Sequence, residues 1–141
     1  MKYTDIFTLI KSLNFPPDKY VVIGGAAMAG RKIKETTDID ILVSQDLLEE
    51  LKKKPEWHYH PRIIPTEPSG LVNNEGTVEL YPTIGGTNKG FEEVRKDSEM
   101  IQGIPFATLS HVVEIKKIYS RNKDLKDIEI IKKYLSGLAI N

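Results

Sequence analysis

The chain, 141 residues long, contains no cysteine. That excludes disulfides, thiolate metal sites and a cysteine nucleophile, and it accords with a reducing cytosol. Long hydrophobic runs are also missing. The first ten residues are interrupted by Lys2 and Asp5, unlike a signal peptide, and the most apolar stretch, Tyr20 to Gly30, is too short and glycine-rich to span a bilayer. A soluble, cytoplasmic protein without membrane association is therefore expected. Neither sign of charge is in excess. Twenty Lys and Arg balance 20 Asp and Glu, which leaves no strong electrostatic footprint for long nucleic acid. The balance is uneven along the chain: residues 111–141 carry seven basic against four acidic side chains, and residues 1–110 have a net charge of −3. Internal repeats and low-complexity segments are absent.

What is present is an ordinary globular composition, 40% hydrophobic and 28% charged. The length suits one domain, 1–141, able to bury roughly 68–70% of its unfolded surface without covalent staples. Ile6, Leu9, Ile10 and Leu13 recur at helical spacing, which predicts a helix over residues 2–13, stopped by Asn14 and the Pro16-Pro17 pair. Lys19 to Ile23 reads as a strand turning at Gly24-Gly25 into a short helix closed by Gly30. Residues 39–43 read as a second strand, and Ser44 as the cap of a helix over 45–54. Residues 57–64 predict one or two short strands broken at Pro61. Leu71-Val72 and residues 77–81 predict a hairpin, and a loop follows from Pro82 to Lys89. A second hairpin joins 99–101 to 104–107, with Pro105 marking an edge. Ser110 is positioned to cap a helix carrying Val112, Val113, Ile115 and Ile118. After a polar break at 121–124, Leu125, Ile128, Ile131 and Leu135 mark a last helix ending near Gly137. The expected fold is α+β: a small mixed sheet packed with helices, a core over about 15–110 and a helical C-terminal segment over about 110–137.

Chemistry concentrates in two strands. Asp is depleted in strands, yet Asp38 and Asp40 alternate with Ile39 and Ile41 in an apolar run, which points both carboxylates to one face about 7 Å apart at Cα. Adjacent anions near a core cost several kcal/mol unless paired, and a hard divalent cation is a natural partner. The bland alternative is a solvated strand end. Gly24-Gly25 before a helix lets backbone N–H groups approach an anion, but the spacing matches neither a dinucleotide fingerprint nor a P-loop. Glu79, between Val78 and Leu80, reaches the same place if its strand pairs beside Ile39–Val43. His58 and His60 alternate on a strand and read either as a shared metal site or as a surface strand, the latter favoured by the lack of a third ligand nearby. His111 reads as structural. No serine has a nucleophile-elbow context.

Taken in order, Gly24-Gly25, a gap of 12 residues, Asp38-Ile39-Asp40 and the later Glu79 resemble the signature of the nucleotidyltransferase superfamily with the DNA-polymerase-beta-like fold. Residues 34–40, Lys-Glu-Thr-Thr-Asp-Ile-Asp, are similar to the Arg-x-Thr-x-Asp-x-Asp form of its small abortive-infection-toxin-like and antibiotic-modifying branches. Lys116, followed by residues 121–127, resembles the late lysine and Arg-x-Lys-Asp-x-x-Asp stretch of the same branches. Together these cover about 20–43, 77–81 and 104–135. Two departures stand out: many members have Gly-Ser in place of Gly24-Gly25, and Lys34 replaces an arginine, giving up bidentate geometry.

The resemblance implies that Asp38, Asp40 and Glu79 hold magnesium or manganese, with Glu79 alternatively a base. Gly24, Gly25 and Thr36 would meet the phosphates of a nucleoside triphosphate such as ATP, with Lys116 or Arg121 neutralising developing charge. For Lys116, Arg121 and Lys123 the bland reading is a solvated helix face. A nucleotide would pass to a hydroxyl acceptor, whether small molecule, tRNA or protein. The competing reading is a non-catalytic nucleotide-binding or interaction module on the same fold, alone, as a homodimer, or paired with an antitoxin-like partner.

Overall fold

In a computed structural model the described residues are 2–61, 69–84 and 89–140, without the side chains of residues 3, 139 and 140. They form seven strands and six helices, an α+β fold. Helix α1 (Tyr3–Ser12) buries Ile6, Phe7 and Ile10 and ends where Asn14 takes a left-handed backbone ahead of Pro16. Strand β1 (Tyr20–Ile23) is buried along its whole length, so both faces of the sheet are covered there. Helix α2 (Gly24–Ala29) buries every side chain it has, as its run of alanines and Met28 requires. Strand β2 (Ile39–Val43) leads into α3 (Gln45–Leu51), and the Ser44 hydroxyl accepts from the Leu47 N–H at 3.4 Å as its cap.

The next three strands, β3 (Trp57–His60), β4 (Gly70–Asn73) and β5 (Val78–Tyr81), form an antiparallel run, followed by α4 (Phe91–Lys96). A hairpin of β6 (Glu99–Ile101) and β7 (Ile104–Phe106) precedes α5 (Leu109–Tyr119) and α6 (Asn122–Ile140). The strand order is β3-β4-β5-β2-β1-β7-β6. Only β2/β5 and β1/β7 pair in parallel. The central strand β2 therefore sits between β1 and β5, so the C-terminal end of β1 lies beside the start of β2.

Several expectations need correction. Helix α4 was not anticipated. The expected strands over 57–64 reduce to β3 among the described residues, and 62–64 lie outside them. Most of the Pro82–Lys89 loop is likewise outside, although Thr83 and Gly90 form a bridge at its ends. Pro105 is not on an edge: β7 lies between β1 and β6, and it tolerates a residue without an N–H because its pairing to β1 is confined to Val22 and Phe106. Thr108, not Ser110, caps α5 by accepting from the His111 N–H at 3.2 Å. The break between α5 and α6 shrinks to Ser120, in a left-handed conformation, and Arg121. Gly137 does not stop α6.

The C-terminal helix is part of the core rather than an appendage. Ile131 is fully buried and Ile128 nearly so, while Leu125 and Leu135, expected on the same apolar face, are about half exposed. Ile131→Ala is expected to lower the unfolding free energy by about 2–5 kcal/mol, and Leu135→Ala by less than about 1 kcal/mol. Urea titration of both variants checks this. Equal losses would place α6 differently.

Candidate functional site

The turn from β1 into α2 is built by Gly24, whose φ of +62° is strained for any side chain. A Cβ there would also point at the Asp40 carboxylate, 3.4 Å from Oδ2. At Gly25 a Cβ would stand 3.1 Å from the Thr36 hydroxyl. Absent side chains at 24 and 25 thus make room for Asp40 and Thr36. Thr36 in turn donates to the Asp38 carbonyl at 2.8 Å, and Thr37 donates to Asp38 Oδ1 at 3.2 Å, fixing the approach to β2.

Parallel pairing of β2 with β5 brings Asp40 into register with Glu79. The two carboxylates lie side by side on one face, while Asp38, exposed, precedes the strand. Asp40 is half-buried as a residue, yet its Oδ1 is shut off from solvent and has no hydrogen-bond partner among the described residues. Burial, then the negative charges of Glu79 and Asp38, pushes the Asp40 carboxyl up to about 7, and Lys123 acts in the opposite sense. A sealed acceptor beside a second carboxylate is suited to a hard cation, whose oxygen preference matches this donor set. No three His, Asp or Glu side chains among the described residues already stand together as a ligand set. The register pair Asp40–Glu79 is the fixed part of the arrangement.

All eight residues singled out in the sequence line one cleft of about 630 Å³: Gly24, Gly25, Thr36, Asp38, Asp40, Glu79, Lys116 and Arg121. That volume is within the range of small-molecule sites. Ile84, Val112, Ile115 and Tyr119 give its lining an apolar part.

The cations are not arranged as expected. Lys116 is buried, which removes the reading as a solvated helix face, and its Nζ lies 2.9 Å from Asp127 and 3.7 Å from Asp124. Lys34, from the segment before β2, reaches the other oxygen of Asp127 at 2.6 Å. Arg121 forks onto Asp124 through Nε at 2.7 Å and Nη2 at 3.3 Å, with its guanidinium over the Tyr119 ring. Burial pushes the Asp124 and Asp127 carboxyls up, but the hydrogen bonds from Arg121 to Asp124, and from Lys34 and Lys116 to Asp127, win and hold both below their ordinary value. Lys123, also on the cleft wall, is exposed and has no partner among the described residues.

Two neighbours of Glu79 went unanticipated. The Tyr81 hydroxyl donates to Glu79 Oε2, and His60 Nε2 is 3.9 Å from Oε1. His60 therefore shares no site with His58, whose ring contacts the Asn74 side chain. The only sequence signal was alternation on β3 and β5, which cannot give register. His111 Nε2 lies 3.2 Å from the Asp97 carboxylate.

No known protein family, curated protein or solved structure matches the chain. No helix among the described residues is long and apolar enough to cross a membrane.

The raised Asp40 carboxyl has a consequence for stability. An unfolded chain releases this proton near 3.8 and the folded chain near 7, so no penalty exists below about 4. It grows as pH rises and is full above 7. Asp40→Asn is accordingly expected to stabilise the ligand-free protein by about 1–3 kcal/mol at pH 8 and by almost nothing at pH 4. Urea unfolding at the two pH values tests this; a variant no more stable than wild type at pH 8 would contradict it.

Proposed function

We propose that the protein is a metal-dependent nucleotidyltransferase, moving a nucleoside monophosphate from a nucleoside triphosphate to a hydroxyl acceptor. The observation that carries the reading is the Asp40–Glu79 register pair, with a sealed, unpartnered Oδ1, facing a side-chain-free turn at Gly24. Crowded carboxylates whose ionisation is opposed by burial are typical of sites that are completed by a ligand.

Asp38, Asp40 and Glu79 are the residues to hold magnesium or manganese. When bound, such an ion screens the triphosphate and lowers the pKa of the acceptor hydroxyl. The chain's own part is to bind and orient. Gly24 and Gly25 let the backbone come close to the outer phosphates, and Lys123 meets phosphate oxygens without first giving up an internal partner. The apolar lining from Val112, Ile115 and Tyr119 suits the nucleobase. The acceptor oxygen attacks the α-phosphorus in line, the bond to the β-phosphate bridging oxygen breaks, and pyrophosphate leaves. The hydroxyl proton passes to a carboxylate oxygen of the cluster.

A non-catalytic nucleotide-binding module is the second reading, favoured by the commitment of Lys34, Lys116 and Arg121 to Asp124 and Asp127. Calorimetry with each of the four triphosphates, with and without magnesium, tests both. Wild type is expected to bind at least one triphosphate only with metal, and Asp38→Ala/Asp40→Ala to bind none. Lys123→Ala should weaken binding about tenfold. Pyrophosphate release on adding hydroxyl acceptors separates the enzyme from the module, and absence of metal-dependent binding by wild type would contradict the enzyme.

A further inference from the structure

Glu79 carries more of the site than its place on a short strand suggests, because a free glutamate has three rotatable bonds. Fixing its carboxylate costs side-chain entropy, which a ligand must supply if the protein has not. Here the protein supplies it. Glu79 and Tyr81 project from the same face of β5, and the Tyr81 hydroxyl donates to Glu79 Oε2. The ring that carries this hydroxyl is itself held from the neighbouring strands.

Gly70 on β4 is the reason. A Cβ at Gly70 would fall 2.9 Å from Tyr81 Cδ1 and 1.9 Å from the Leu80 carbonyl oxygen. The missing side chain leaves a gap in the face of the sheet, into which the Tyr81 ring settles. His60 is in register with Gly70 on the edge strand β3, so it looks across the same gap. Its ring meets that of Tyr81 edge-on at 6.1 Å, and its Nε2 lies 3.9 Å from Glu79 Oε1. One oxygen of Glu79 is thus hydrogen-bonded by Tyr81 while the other stands within reach of His60. Three strands combine to set one carboxylate beside Asp40.

We infer that Tyr81 is a positioning residue for Glu79: its hydroxyl, with the ring seated over Gly70 and against His60, fixes the orientation in which the Glu79 carboxylate is presented to a divalent cation. The inference rests on the nucleotidyltransferase reading in taking Glu79 as an ion ligand. Partners of this kind, one hydrogen bond removed from the ion, are worth about 10–100-fold in metal affinity.

Binding of Mn²⁺ to the full chain, followed by the electron paramagnetic resonance signal of the free ion, is the test. It is applied to wild type, Tyr81→Phe, Glu79→Gln and the double variant. Phenylalanine keeps the ring over Gly70 and removes only the hydroxyl, so thermal unfolding is expected to change little. Tyr81→Phe should weaken Mn²⁺ binding about tenfold. On the Glu79→Gln background the same substitution should have no further effect, since Tyr81 acts through Glu79. Wild-type affinity in Tyr81→Phe, or an equal loss on both backgrounds, would overturn the positioning role and leave the nucleotidyltransferase reading standing. A wild-type chain that binds no Mn²⁺ would overturn that reading and the positioning role with it.

Discussion

Two carboxylates in register on neighbouring parallel strands, Asp40 and Glu79, impose the constraint around which the rest of the site is arranged. Carboxylates at this spacing repel, and the one that is sealed from solvent has an oxygen without a partner. The cost is tolerated because the surrounding core is well formed, with Ile39, Ile41, Val78 and Leu80 fully buried on either side of the two acids. Gly24 is tied to the same point: its left-handed turn and missing side chain allow β1 to end against Asp40. Tyr81, on the same face of the sheet, hydrogen-bonds the other acid, and His60 stands 3.9 Å from its second oxygen.

The positive side of the cleft obeys a different logic. Asp124 and Asp127, both buried on α6, gather Lys116 from α5, Lys34 from the segment before β2, and Arg121 from the α5–α6 junction. Removing one partner from such a network leaves a buried charge uncompensated, which is costly, so the network fixes α6 against the sheet. On the nucleotidyltransferase reading proposed above, its cations would be poorer phosphate ligands than their place on the cleft wall implies. Lys123, next to Asp124 in the chain but unpaired among the described residues, would be the better one on that reading. The last helix therefore serves both the core, through Ile128 and Ile131, and the site, through its first turn.

Much of this was legible in the sequence, and the exceptions have physical causes. Strand β2 and the two hairpins were readable because alternation and turn residues are local signals, and the eight site residues converge on one cleft. Helix α4 was not readable: its six residues bury only Val94 fully, which leaves no periodicity. Thr108 and Ser110 are equally good caps by type, and only the chain's path after β7 selects between them. Gly137 sits on an exposed turn of α6, where a glycine weakens a helix without ending it. Pro105 misled because parallel pairing of β7 with β1 is a long-range choice. Lys116 stayed open between a phosphate-facing cation and a solvated helix face, and its burial was not readable because its neutralising acids lie on another helix. The reach of His60 to Glu79 depends on register across three strands and on an empty position at Gly70, neither of which a one-dimensional pattern contains.

On the reading proposed above, Asp40 and Glu79 form a preorganised pair that a divalent cation completes. Carboxyl-carbon NMR titration of Asp40, assigned through Asp40→Asn, tests it most directly when run with and without magnesium. The pair predicts a midpoint near 7 in the absence of the ion, because burial and Glu79 both oppose ionisation, and a midpoint moved well down when magnesium is present. An ordinary carboxylate midpoint that magnesium leaves unchanged would contradict it.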